Sequence, residues 1–419
     1  MVSETSVLGQ DLHRPELVLP AGDLEKLSVA LLFGADGVYL GGKEFSLRAF
    51  AGNLTLAEIT VGLAYAHQMG KKVYITINIL AHNRDIEFLP PYLEALQETG
   101  VDGFIIADLG VMRMAQTYAP RIPVTISTQA NISNYATAAL YRDLGASRLV
   151  LARELSLEEI VEIKQRVEIE LEVFIHGAMC VAYSGRCLLS HYMTGRSANQ
   201  GACAQPCRYN YYLMEEKRPG QYFPLEEDER GSYIFNSRDL CLLEQLPQLI
   251  DAGIDAFKIE GRMKSPLYVA TLARIYRQAI DQYTLTHSPY REEDIQAWSA
   301  EMQSVATRPF TTGFVAGESQ QMQDLDKEAV PGRADFCGMV QAYHPSRGLV
   351  EVVQRANFGT GEPLQFLLPD GSIIDIELTI LRDEEGNALD RARHPLQKVF
   401  IPSAQPIPVY SILRRRATR

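Results

Sequence analysis

The sequence most plainly lacks membrane and export signals. None of its apolar runs approaches the roughly 18 residues that a membrane-spanning helix requires. The first sixteen residues, MVSETSVLGQDLHRPE, contain neither the basic start nor the apolar stretch of a secretory signal peptide. We therefore expect a cytoplasmic protein that does not contact a membrane. In that compartment the six cysteines are expected to be thiols or metal ligands and not disulfides.

An excess of positive charge is also missing. The chain has 40 Lys and Arg residues against 52 Asp and Glu residues, which gives a net charge of -12. This balance argues against a general nucleic-acid coat, because such a surface needs dense Lys and Arg, but it does not exclude a local basic groove. The basic run at the C-terminus is most simply interpreted as a solvated tail. It consists of Arg414, Arg415, Arg416 and Arg419.

Several common catalytic motifs are absent as well. The chain contains no H-E-x-x-H, no G-x-S-x-G and no G-x-x-x-x-G-K-[ST]. These absences argue against the usual zinc proteases, the α/β-hydrolases and the P-loop nucleotide-binding proteins. No G-x-G-x-x-G follows the first predicted strand, which disfavours a doubly wound open sheet as the alternative fold.

One short pattern, in which a helical stretch is followed by glycine and then by an apolar run, occurs four times. The copies begin at Gly34, Gly100, Gly145 and Gly253. Glycine suits the left-handed position that ends a helix, and the apolar run is typical of a strand buried on both faces. The pattern therefore predicts an alternating array of strands and helices with a parallel sheet.

Eight strands can be placed in this way, which predicts a (β/α)8 barrel over residues 16–325, after an N-terminal extension of residues 1–15. From about residue 330 the pattern changes to short alternating runs between turns. This change predicts a small all-β, barrel-like domain over residues 330–419. The predicted barrel strands are residues 16–20, 37–40, 72–78, 103–107, 124–127, 148–151, 171–176 and 256–259.

The link between the seventh and eighth strands, residues 178–241, is far longer than a compact domain needs, and such loops are usually functional. It holds five of the six cysteines among Gly, Ser, Asn and Arg, where burial as small apolar side chains is improbable. The wide first spacing favours an iron–sulfur cluster over a zinc site built from paired cysteines. A cluster needs four ligands, and the candidates are Cys180, Cys187, Cys203, Cys207 and Cys241.

The active site of a βα barrel lies at the C-terminal ends of its strands. At these ends Asp23 and Asp108 are predicted to be plain helix N-caps. Gln129, His176 and Glu260 are not residues that capping favours, so we predict that Gln129 binds substrate and that His176 and Glu260 move protons.

Arg262 follows the eighth strand closely, and we predict that its planar fork binds an anionic substrate at the barrel mouth. Further basic residues in this part of the chain are predicted to bind the same substrate. The alternative is that they only pair with nearby acidic side chains. These residues are Lys258, Arg186 and Arg208.

Five segments resemble peptidase family U-32, the collagenase-like peptidase family. The segment EVFIHGAMC at residues 172–180, running into SGRCLLS at 184–190, is similar to the family signature. The resemblance covers roughly residues 15–415. The other similar segments are LPAGD at 19–23, NQGACAQPCR at 199–208, KIEGR at 258–262 and RPFTTGF at 308–314.

The resemblance implies a 4Fe–4S cluster held by four cysteines. Cys180, Cys187 and Cys203 match the family pattern, and Cys241 is the predicted fourth ligand, with Cys207 as its rival. Similar bacterial members take part in forming 5-hydroxyuridine at the wobble position of tRNA. Their route does not use O2 and depends on the iron–sulfur assembly machinery and on prephenate, a possible oxygen donor. The resemblance therefore implies a tRNA-hydroxylating enzyme, with a peptidase or a non-catalytic cluster-carrying assembly protein as alternatives.

Overall fold

Two sheets organise the part of the chain that the structure describes. The structure is a computed structural model, and it describes residues 13–43, 53–179, 187–196, 198, 203–206, 212–214, 222–224, 238–317 and 334–415.

The first sheet contains a closed barrel of eight parallel strands. Each strand pairs with its neighbour in chain order, and β11 closes the ring by pairing with both β7 and β1. The predicted (β/α)8 barrel is therefore confirmed, with each strand within about two residues of its predicted bounds. The strands are β1 (Glu16–Pro20), β2 (Gly37–Gly41), β3 (Lys72–Ile77), β4 (Gly103–Ile106), β5 (Val124–Ile126), β6 (Arg148–Val150), β7 (Glu170–Ala178) and β11 (Ala256–Ile259).

Helices surround the barrel, and several begin at the predicted caps. The side chain of Asp23 accepts a hydrogen bond from the Lys26 amide, and that of Asp108 accepts one from the Val111 amide, so both predicted N-caps are confirmed. None of the described helices is both long enough and apolar enough to cross a bilayer. The helices are α1 (Leu24–Leu32), α2 (Leu56–Gln68), α3 (Asn83–Ile86), α4 (Leu89–Thr99), α5 (Leu109–Tyr118), α6 (Tyr135–Asp143), α7 (Leu157–Arg166), α8 (Leu189–Thr194), α9 (Leu246–Asp251), α10 (Pro266–Thr286) and α11 (Glu292–Val305).

Four short strands lie between β7 and the C-terminal domain. β10 (Asp239–Cys241) runs antiparallel to the end of β7, and β12 (Phe310–Thr311) pairs with β10. β8 (Tyr212–Met214) and β9 (Tyr222–Pro224) form a separate antiparallel pair. β10 was not among the predicted strands, and it brings the end of the cysteine-rich insertion directly beside β7.

The apolar core of the barrel has two parts. The larger part lies between strands and helices and includes Leu17 and Leu19 of β1. Val18 faces the other way, into the barrel interior, where it packs in a small cluster. That cluster is completed by Tyr39, Tyr74, Ile105 and Ala256. Charged side chains also lie in the barrel interior, as described below.

The second sheet is an eight-stranded antiparallel half-barrel, which confirms the predicted barrel-like β domain. Its order is β17-β16-β22-β13-β14-β21-β18-β19, and β15 pairs separately with β20. The strands are β13 (Asp335–His344), β14 (Leu349–Gln354), β15 (Phe358–Gly359), β16 (Pro363–Leu367), β17 (Ile373–Glu377), β18 (Leu381–Arg382), β19 (Ala388–Leu389), β20 (Arg391–Ala392), β21 (Lys398–Pro402) and β22 (Ile412–Arg415).

The interpretation of the C-terminal basic run as a solvated tail is wrong for Arg414 and Arg415. Both belong to β22, which lies between β13 and β16. Arg414 is fully buried and forms an ion pair with Glu301 of α11. Arg415 pairs with Asp335 and Glu362. Carboxylates on neighbouring elements therefore hold these arginines inside the fold, while Arg416 and Arg419 lie outside the described residues.

Candidate functional site

The candidate site is built on an irregular junction between β7 and β11. Their register shifts between Lys258 and Ile259, and the Glu260 amide donates to the carbonyl oxygen of His176 at 2.8 Å. Gly177 adopts a φ of +113°, and a Cβ there would overlap the Glu260 carbonyl oxygen and lie 2.9 Å from the Glu260 Cβ. The junction therefore requires glycine, and it turns Glu260 toward the mouth of the barrel.

Two tyrosines hold Glu260 from different elements. The Tyr39 hydroxyl, from β2, donates to Oε2 of Glu260 at 2.9 Å and also lies 3.0 Å from the carbonyl oxygen of Ile259. The Tyr268 hydroxyl, from α10, donates to the carbonyl oxygen of Glu260 at 3.1 Å. Glu260 itself is only half-buried. Tyr39 therefore fixes the position of the Glu260 carboxylate, and the residue stays partly exposed.

Lys258 lies below Glu260 inside the barrel, and it is buried. Its ammonium donates to Oε1 of Glu172 at 2.6 Å and lies 4.3 Å from the centre of the Tyr39 ring. The contact with Glu172 confirms that this lysine pairs with an acidic side chain. Because the Lys258 ammonium also contacts the Tyr39 ring, its positive charge lies next to the phenol that binds Glu260.

The ion network continues from Glu172 to the opposite end of the barrel. Arg148 donates to Oε2 of Glu172 at 3.3 Å and to Oε2 of Glu16 at 3.0 Å. The Tyr74 hydroxyl donates to Oε1 of Glu16 at 2.5 Å. Burial alone would raise the pKa of Glu16, but the Arg148 charge and these hydrogen bonds hold it below its ordinary value. The buried charges thus compensate one another along the barrel interior.

His176 is enclosed beside β10 and α10. Its Nδ1 lies 3.1 Å from the Tyr276 hydroxyl, and its ring packs edge-on against Tyr268 and Phe310. Burial, and then the charge of Lys264, lower the pKa of His176 to about 3. The ring is buried and bonded to Tyr276, so its geometry favours a hydrogen-bonding role over proton transfer. The assignment of His176 to catalysis stays a prediction.

Arg262 is buried at the mouth against the segment between β2 and α2. Its guanidinium donates to Oδ1 of Asn53. Its carbonyl oxygen lies so close to Gly22 that a Cβ there would be at 2.9 Å. Arg262 and Glu260 therefore lie at the same end of the barrel, as predicted, and Arg262 also connects β11 to the segment after β2.

We expect Arg262→Lys to keep the fold and to lower activity by roughly tenfold or more, because losing one charge-assisted hydrogen bond costs about 1.5–3 kcal/mol. The test measures the melting temperature and the reaction rate on one sample. A lower melting temperature with normal activity in the folded fraction would instead mean that Arg262 only braces the loop.

Gln129 and Arg153 occupy other strand ends of the same face. Gln129 lies in a 3-10 turn after β5 and accepts a hydrogen bond from the Ser127 hydroxyl. Arg153 donates to the carbonyl oxygen of Ala178 at 2.5 Å and stacks 5.0 Å from the centre of the Phe174 ring. Arg153 therefore holds the end of β7 at the point where the chain enters the cysteine-rich insertion.

The described cysteines of the insertion are Cys187, Cys203 and Cys241. Cys187 is half-buried and Cys203 is exposed. Cys241 is opposite His176 in the β10–β7 pairing, and its Sγ lies 3.6 Å from the Tyr276 hydroxyl. Burial raises the pKa of the Cys241 thiol. These thiols are the soft donors that iron favours, and the end of β7 leads directly to Cys180.

The predicted cluster stays a prediction. Within the described ranges no group of three or more His, Cys, Asp or Glu side chains is arranged to hold a metal ion. Two of the five candidate ligands, Cys180 and Cys207, lie outside the described residues, as do the predicted substrate-binding residues Arg186 and Arg208. Cys337, in the C-terminal domain, is buried.

Tyr39 and Glu172 were missed as site residues. Tyr39 lies in an apolar strand and is indistinguishable there from an ordinary core residue. Glu172 carried a usable signal, because it is a charged residue in an apolar strand that is buried on both faces. Lys258 carries the same signal on the neighbouring strand β11, and two opposite charges in such strands predict a buried ion pair.

Comparison with known proteins gives a match along nearly the whole chain. Residues 22–324 match the description "Peptidase family U32", and residues 332–414 match "Peptidase family U32 C-terminal domain". A relative from Bacillus subtilis (strain 168), "tRNA hydroxylation protein P1", is 41% identical over 387 residues, which cover 92% of this chain and 91% of the relative.

Two further relatives act on RNA according to their names. "tRNA hydroxylation protein P" from Escherichia coli (strain K12) is 32% identical, and the match covers 96% of this chain and 97% of the relative. The "23S rRNA 5-hydroxycytidine C2501 synthase" of the same strain is 40% identical over 269 residues, which cover 64% of this chain and 40% of that protein.

Proposed function

This chain belongs to peptidase family U32, and from that membership and the geometry of its barrel mouth we propose that it is an enzyme that hydroxylates tRNA. Relatives named for tRNA hydroxylation match it over nine-tenths or more of both chains. A further relative is named as a hydroxycytidine synthase of ribosomal RNA. Hydroxylation of RNA is thus the activity that these names share.

We further propose that the product is 5-hydroxyuridine at the wobble position. Hydroxylation at carbon 5 replaces a C–H bond with a C–O bond. The oxygen donor must supply the oxygen and take up the two electrons that the carbon loses, and a base must accept the proton that leaves the carbon. The observation that carries this proposal is the carboxylate of Glu260, held at the barrel mouth by Tyr39 at 2.9 Å. Glu260 is the proposed base, and Arg262 and Gln129 are proposed to bind substrate.

The proposed cofactor is a 4Fe–4S cluster held by Cys180, Cys187, Cys203 and Cys241, with Cys207 as the rival fourth ligand. When bound, the cluster would supply electron transfer and a site for an anionic oxygen donor, for which prephenate is the proposed source in a route without O2. The iron–sulfur assembly machinery is then a required partner. The support for this proposal is the number, spacing and position of the thiols after β7.

Protein purified without air should therefore be brown, with iron and sulfide each near four per chain. The measurement is iron and acid-labile sulfide content, followed by the same assay on Cys241→Ser and Cys207→Ser. Loss of iron in only one of these two variants identifies the fourth ligand. A colourless protein with stoichiometric zinc would contradict the cluster.

The two alternative functions predict different results. Hydrolysis of a peptide bond needs a nucleophile–base pair or a hydrolytic metal, and the buried His176, whose lowered pKa makes it a weak base, does not suit the role of base. A protein that only carries a cluster should tolerate the loss of the Glu260 carboxylate. Glu260→Gln should keep iron and melting temperature but lose hydroxylation if the chain is the enzyme.

The function is tested by mass spectrometry of tRNA nucleosides from a strain that lacks this chain. We expect 5-hydroxyuridine and its derivatives to disappear and to return when the chain is expressed again. An unchanged nucleoside profile in a strain without redundant copies would refute the proposal.

A further inference from the structure

We infer that Tyr39 is a positioning residue for Glu260, and that the buried pair of Lys258 and Glu172 holds Tyr39 in place for this task. The inference rests on the proposed function, because it assigns a role in the same reaction. It concerns residues that lie below the reacting groups. These residues do not contact substrate and act on it only by positioning Glu260.

Tyr39 contacts Glu260 directly. The Tyr39 hydroxyl carries a single hydrogen, and its acceptors are Oε2 of Glu260 at 2.9 Å and the carbonyl oxygen of Ile259 at 3.0 Å. Both acceptors lie at the register shift where β11 ends. A phenol in this position selects one orientation of the carboxylate and stabilises its charged form, which is the form that accepts a proton.

Lys258 and Glu172 support the Tyr39 ring from below. The Lys258 ammonium lies 4.3 Å from the ring centre, and Glu172 fixes that ammonium at 2.6 Å. Tyr39, Lys258 and Glu172 are all buried. A cation on the face of a ring is attracted to it and draws electron density from the phenol, which makes the hydroxyl a stronger donor. The support therefore fixes the ring and strengthens its bond to Glu260.

The barrel contains a matched tyrosine–glutamate pair at its opposite end. Tyr74 is the register partner of Tyr39 on the neighbouring strand β3. It is similarly buried, and its hydroxyl also donates to a glutamate, Glu16, but at the beginning of β1. The two tyrosines thus share burial, environment and type of hydrogen bond, and they differ in which end of the barrel they serve.

The test compares Tyr39→Phe with Tyr74→Phe, each expressed in the strain that lacks this chain. The time course of 5-hydroxyuridine formation gives the rate, and purified protein gives the melting temperature, the iron content and the affinity for tRNA. We expect Tyr39→Phe to lower the rate by roughly tenfold or more, because a hydrogen bond to a charged group is lost. Iron content and tRNA affinity should stay within about twofold of wild type, since the Tyr39 hydroxyl is buried and bonds Glu260.

Tyr74→Phe should lose comparable thermal stability and keep its rate. If Tyr39→Phe keeps its rate, or loses it only in proportion to folded protein as Tyr74→Phe does, the inference is refuted while the proposed function stands. If the wild-type chain itself forms no 5-hydroxyuridine, the proposed function is refuted instead. These two failures are distinguished by the wild-type sample alone.

Discussion

Replacing Gly177 with alanine should abolish hydroxylation and unfold or severely destabilise the barrel. The new methyl group would overlap the carbonyl oxygen of Glu260 and approach the Glu260 Cβ to 2.9 Å. The contact is with backbone, so no side-chain rotation relieves it. The φ of +113° is also unfavourable for any residue with a side chain. We expect a loss of roughly 4 kcal/mol or more in the free energy of unfolding, a size reached by core overpacking combined with backbone strain.

Gly100→Ala provides the control for the backbone contribution alone. Gly100 also has a positive φ, of +79°, but a Cβ there would meet nothing within 4 Å. Its substitution should cost about 1 kcal/mol and leave the rate in the folded fraction unchanged. Chemical denaturation of both variants measures the difference. If both variants lost the same free energy of unfolding, Gly177 would have to lie farther from Glu260 than these distances indicate.

Glu172→Gln should have the second largest effect, because it removes one negative charge from between two buried cations. Lys258 and Arg148 both donate to the Glu172 carboxylate, at 2.6 Å and 3.3 Å. Breaking a buried ion pair by removing one partner costs about 3–5 kcal/mol, since the other partner stays buried without compensation. We expect a loss near the lower end of this range, because glutamine keeps the shape and one acceptor oxygen.

The double variant Glu172→Gln, Lys258→Met shows whether uncompensated charge is the cause. Because the lysine charge is removed as well, the double variant should lose less unfolding free energy than the two single variants lose together. We expect the difference to be at least about 1 kcal/mol. Denaturation curves of the three variants and the wild type form the cycle. Strictly additive losses would contradict the proposed coupling between these side chains.

Much of the barrel could be predicted because its signal is local. A glycine that ends a helix and an apolar run that follows it mark four of the eight strands independently of the rest of the fold. The last predicted barrel strand follows such a glycine, Gly253, and it has the same bounds in the structure, Ala256–Ile259. The N-caps Asp23 and Asp108 are equally local, since each bonds an amide three residues ahead.

The features that escaped prediction depend on contacts distant in sequence. Tyr39 and Glu260 are 221 residues apart, and they meet only because the register of β11 shifts beside Gly177. β10 is a strand because it pairs with the extended end of β7 and with β12. Arg414 appeared to belong to a charged tail because its partner Glu301 lies 113 residues earlier in the chain. Local composition contains no information about such pairings.

We propose that the barrel mouth around Glu260 hydroxylates tRNA. The most direct measurement is the amount of 5-hydroxyuridine and its derivatives in tRNA from the strain that lacks this chain. That strain would carry, in parallel, the wild-type chain, Glu260→Gln or an empty vector at matched protein levels. We predict full restoration by the wild type and a level no higher than the empty vector for Glu260→Gln, with its iron content unchanged. Restoration by Glu260→Gln equal to that of the wild type would contradict the account.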